Sequence, residues 1–107
     1  MKRILPLSLS LISSMLLSGC AEGVAQNFEG GKAVMIEGVE HGVRPLPSGP
    51  NVYQAFLNQP TIDDMLGTVN PDVSRRNVLA IEAVTGCKVA LTSIQNDQNY
   101  TMAAVEC

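Results

Sequence analysis

The chain predicts a small α+β domain: an antiparallel sheet, built from a C-terminal hairpin and an N-terminal strand, packed by one amphipathic helix. Three stretches carry that reading. NPDVSRRNVLAIEAVTG (Asn70 to Gly86) spaces its apolar residues at a helical period. CKVALTSI (from Cys87) and NYTMAAVEC (ending at Cys107) alternate at a strand period on either side of a polar turn, and KAVMIEGV (from Lys32) is a β-prone apolar run. A chain of 107 residues has room for one such domain once a leader is set aside.

The leader comes first. Lys2-Arg3 is a positive start, and Ile4 to Leu17 is an apolar stretch interrupted only by Pro6 and four serines. At 14 residues it falls short of the roughly 20 that a helix needs to cross about 30 Å of hydrocarbon, so it reads as a secretory h-region. It ends in LLSGC, with Leu17 followed by the small pair Ser18-Gly19 and then Cys20. That pattern resembles the lipobox of bacterial lipoproteins at every position. The resemblance implies that residues 1–19 are a removable signal peptide, that the Cys20 sulfur carries a diacylglyceryl group, and that the new amino group is acylated too. Each buried methylene adds about 0.8 kcal/mol, so one acyl chain holds marginally while two or three anchor firmly. Ala21 stands where Asp would retain a lipoprotein at the inner membrane of enteric-type bacteria, which implies the outer membrane, facing the periplasm. The resemblance covers residues 1–20 and says nothing of an activity.

AEGVAQNFEGG (Ala21 to Gly31) has glycines, two glutamates and no sustained apolar period, so residues 20–31 read as a lipidated N-terminus and flexible tether with a reach of about 18 Å. The domain then occupies residues 32–107. Lys32 to Val39 is predicted as a strand with Val34 and Ile36 on one face and Met35 and Val39 on the other. Gly42 to Pro50 holds three prolines and two glycines and reads as irregular. NVYQAFL suggests two helical turns capped by Asn51, with Val52 and Phe56 four apart and Pro60 limiting extension. Thr61, with a carboxylate three residues on and Gly67 beyond, marks a short helix.

The main helix is predicted over Pro71 to Thr85. Asn70 caps it, Pro71 suits its first position and Asp72 sits where the macrodipole favours negative charge. Val73, Asn77, Ala80, Ile81 and Val84 share one stripe, and Gly86 is placed for a left-handed C-cap. If the two runs after Gly86 pair about Asp97, Val89 meets Val105, Leu91 meets Ala103, Ser93 meets Thr101 and Cys87 meets Cys107. Directly opposed Cα atoms lie about 4.5 to 5.5 Å apart, within disulfide range. In an oxidising compartment, with Cys20 taken by lipid, a Cys87–Cys107 bridge is expected, worth about 3 kcal/mol on the chain-entropy model.

Side chains that carry chemistry are few. His41 is the only histidine, and a catalytic reading needs Glu37 or Glu40 to orient it towards a nucleophile such as Ser48. No recognised spacing supports that, so a loop histidine is expected. Asp63-Asp64 fits a helix first turn better than an acid/base pair. Arg75-Arg76, beside Asp72 and Glu82, fits a solvated face. Two thiols and one distant histidine do not make a zinc site, a dithiol following a helix C-terminus does not favour thiolate, and no cofactor is implied. Aromatic content is 4% with no Trp, and without the leader five cations face ten carboxylates, which argues against nucleic acid as a partner. The expectation is a non-enzymatic, lipid-anchored envelope protein that docks with another envelope protein. The alternative is an inhibitor or ligand-binding module for a basic envelope protein.

Overall fold

The computed structural model describes residues 23–67 and 70–107; the leader, the lipobox and Cys20 lie outside the described residues. Among them run β1 (Lys32–Ile36), β2 (Val39–Pro45), β3 (Val52–Leu57), α1 (Ile62–Leu66), α2 (Pro71–Thr85), β4 (Lys88–Val89), β5 (Gln95–Asp97) and β6 (Tyr100–Glu106). Two short 3-10 turns, Val24–Asn27 and Leu91–Ser93, complete the order. The strands form one antiparallel sheet in the order β1-β2-β3-β6-β4, with β5 also on β6, so the α+β class holds.

The main helix has the predicted bounds for the predicted reasons. Asn70 Oδ1 accepts the Asp72 N–H at 2.9 Å, and Gly86 takes the left-handed conformation at φ 72°. Val73, Asn77, Ala80 and Ile81 are buried, and α2 lies across β1, β2, β3 and β6. The core beneath it is small: Val43, Ala55, Ala80, Ile81, Val89, Ala103 and Val105. Val34 and Ile36 pack against that core while Met35 points outward, as the strand period required.

The strand expected over Lys32 to Val39 ends at Ile36, because the chain turns through Glu37 and Gly38, both at positive φ, and Val39 opens β2 opposite Ile36. Four further expectations give way. The segment from Gly42 is not irregular as far as Pro45; it continues β2, and Gly42 is there because a Cβ would run into the Phe56 ring and Ala25. NVYQAFL is not helical. Seven residues form a marginal helix alone, whereas β3 finds ladder partners on both sides, Val43 opposite Ala55 in β2 and Ala103 opposite Tyr53 in β6. The tether expected over residues 20–31 is, from Gly23 onward, packed on the sheet. There Val24 N–H donates to Asn58 O at 2.8 Å, Ala25 N–H donates to Asn58 Oδ1 at 2.7 Å, and Ala25 is buried. Phe28 meets Phe56 edge-on at 5.7 Å, and Arg44 lies 4.2 Å above the Phe28 ring.

The last of these four is in the C-terminal hairpin. Its expected register holds at the base, where Lys88 faces Glu106 and Val89 faces Val105. The 3-10 turn then takes up three residues, so β5 resumes with Gln95 opposite Met102 and Asn96 opposite Thr101. Leu91 therefore does not meet Ala103, and Ser93 does not meet Thr101. Ser93 holds the excursion: its Oγ donates to Ala90 O at 2.6 Å and accepts the Ala104 N–H at 2.9 Å. Cys87 and Cys107 are joined by a disulfide, their Cα atoms 4.6 Å apart, 20 residues apart in sequence.

Candidate functional site

His41, on β2 beneath α2, is fully buried, not a loop histidine. Asn77 donates from its amide nitrogen to Asn99 O at 3.0 Å and Thr101 Oγ1 at 3.1 Å, which turns its Oδ1 towards His41. His41 donates from Nδ1 to that oxygen at 2.7 Å, and its Nε2 accepts from Arg76 Nε–H at 3.3 Å. Thr101 Oγ1 in turn donates a hydrogen bond to Asn96 Oδ1 at 2.6 Å. The chain of bonds ties α2 to β2, β5 and β6, and every member is bonded within the fold. Burial first, and the Arg76 charge after it, hold His41 below the ordinary histidine value, while the Asn77 bond pulls the other way; the ring is neutral in this setting.

Neither carboxylate weighed as an orienter reaches His41. Glu37 takes both Arg75 guanidinium nitrogens at 2.7 Å, and Glu40 accepts from Asn58 Nδ2 at 3.0 Å. Ser48 sits in the loop beyond Pro45, at the far end of β2 from His41. Arg75 and Arg76 are thus not one solvated pair: Arg75 reaches across to the β1–β2 turn, and Arg76 turns inward to His41. The Arg75 guanidinium holds the exposed Glu37 carboxyl below its usual range, so their pairing is present at neutral pH and fades as acid protonates the carboxylate. Asp64 closes the capping box with Thr61, accepting the Thr61 N–H at 2.9 Å, while Thr61 Oγ1 accepts the Asp64 N–H at 3.2 Å. Among the described residues no three His, Cys, Asp or Glu side chains gather into a group able to hold a metal ion, and no helix is long and apolar enough to cross a membrane.

A different feature marks this end of the molecule. Helix α1 has no buried residue, and it presents Ile62, Met65 and Leu66 outward at 68%, 54% and 82% exposure. Beside it Val24, Phe56, Leu57, Pro60, Met65 and Tyr100 line a shallow groove of about 180 Å³. Asn99 fixes the helix to the β5–β6 turn by donating from Nδ2 to Asp64 O at 2.6 Å. The capping box is legible in the sequence and the patch is not, although the spacing of three and four from Ile62 to Met65 and Leu66 is its signal. A second cleft, of about 360 Å³, lies between the N-terminal turn and the sheet, with Gln26, Glu40 and Asn58 as its polar wall. No protein-family model, curated protein or solved structure matches the chain.

Proposed function

We propose that this is a cell-envelope protein, lipid-anchored through Cys20 at the outer membrane and facing the periplasm, which works without catalysis by presenting a small rigid domain to another envelope protein. The observation that carries it is LLSGC ending at Cys20, directly ahead of a domain whose other two cysteines are joined to each other. Two further observations support it. The buried polar groups around His41 are bonded to one another, so they act as struts of the fold. Several large apolar side chains, Leu66, Leu91 and Ile62 foremost, are left on the outside, where a partner or a bilayer would cover them.

Mass spectrometry of the native protein tests the anchor: the mature chain should begin at Cys20 and carry acyl mass, and an intact Met1 with an unmodified Cys20 would overturn it. The docking role is tested by a photo-crosslinker placed at Leu91 in growing cells, which should trap one protein. The same net acidity that argues against nucleic acid favours a second reading, an inhibitor of a basic envelope protein. A pull-down repeated at rising salt separates the two, since a charge-steered complex weakens steeply and an apolar one does not.

A further inference from the structure

We infer that the apolar end around α1 rests on the bilayer, as a second contact beside the lipid at Cys20. The inference depends on the anchor proposed above. The packed segment shortens the leash: Gly23 and Val24 are already fixed to Asn58. Four Cα-to-Cα steps, with three residues between, separate Cys20 from Val24 and reach at most about 14 Å when fully extended. Val24 is itself a wall of the groove that holds Met65 and Tyr100. An acylated Cys20 thus brings this end of the domain to the headgroups and keeps it there.

The surface at that end suits an interface. Ile62, Met65 and Leu66 project from a helix that buries nothing, and the half-exposed Tyr100 is an aromatic ring with a polar tip, the kind of side chain that settles at headgroup depth. The stripe is short, so it suits shallow contact, about 5–10 Å into the headgroup and acyl boundary. Asp63 shares the helix, Asp97 pairs with Tyr100 and Asp64 lines the groove itself, so its occupant is a zwitterionic surface rather than an anionic one. Leu91 lies elsewhere: its turn packs on Ala104, four residues along β6 from Tyr100, next to the β2–β3 loop. That end would be free for the protein partner.

The test uses the full lipidated protein in phosphatidylcholine vesicles. The chain has no Trp, so Leu66→Trp places a single indole in the patch and Leu91→Trp a single indole away from it. Brominated phosphatidylcholine should reduce Leu66→Trp emission about twofold or more, with a shift to the blue, and leave Leu91→Trp emission unchanged. Ile62→Trp repeats the reading should Leu66→Trp fold poorly. Protein that floats with the vesicles while Leu66→Trp and Leu91→Trp respond alike would overturn the inference and leave the anchor standing. Failure to float would remove the anchor and the inference together. A blue shift that grows with protein concentration but is not quenched would assign the patch to a second copy of the chain, and would also overturn it.

Discussion

The two helices are built with the same local devices and end in opposite places. Helix α1 has a full capping box between Thr61 and Asp64, and α2 has the Asn70 cap with Pro71 at its first position and Gly86 past its end. Yet α2 buries Val73, Asn77, Ala80 and Ile81, whereas α1 buries nothing and shows its apolar face to the outside. Caps decide where a helix begins and ends; they do not decide whether it is part of the core. Length and position make the difference. Fifteen residues span the sheet, while five cannot cover it. Helix α1 is therefore available for something other than stability.

The contrast is sharpest at Ile81, which is fully buried between α2 and the sheet. Ile81→Ala should cost about 2–5 kcal/mol, read as a lowered midpoint in urea, and a cost near zero would mean that α2 does not hold the core. Replacing both Cys87 and Cys107 by Ser should cost about 3 kcal/mol, because the bridge closes a long loop and pins the chain end. Denaturation with and without reductant checks the same point in the unaltered chain. Asn77→Leu removes the acceptor of His41 and two donors, at about 1–3 kcal/mol.

The same residue sets a pH signature. Because the folded His41 value lies below 6.5, the unfolded chain takes up its proton first. Stability should be full above about pH 6.5 and decline as pH falls from there towards the folded value. His41→Gln should flatten that decline, and Asn77→Leu, which removes the one contact raising the histidine, should carry it to lower pH; midpoints measured between pH 8 and 5 decide. The smallest effect belongs to α1. Thr61→Ala should cost about 1 kcal/mol of local helix but leave global unfolding unmoved, appearing instead as faster amide exchange over residues 62–66. Leu66→Ser should alter stability by no more than about 0.5 kcal/mol.

Much of the fold was legible where the signal is local. The bounds of α2, the capping box of α1, the inward side of β1 and the pairing of Cys87 with Cys107 all follow from spacing and residue type. The long middle of the chain was not. Gly42 and Pro45 read as breakers, but one lies beneath a phenylalanine ring and the other ends a strand, roles that only the neighbouring elements supply. His41 looked like a loop residue because its partners Asn77 and Arg76 are 36 and 35 positions away. The apolar patch was legible as spacing, but its exposure was not.

By itself the sequence determined the α+β class, the main helix with its caps, the base register of the last hairpin and a lipobox-like start, because each rests on residues near one another or on a two-residue period. Only the tertiary structure decided that NVYQAFL is a central strand, that the segment from Gly23 to Gly31 packs on the sheet, that three residues leave the hairpin at Leu91, and that His41 is a buried strut. In each case the competing local conformations differ by little, and the choice falls to ladder partners and ring contacts supplied by distant parts of the chain.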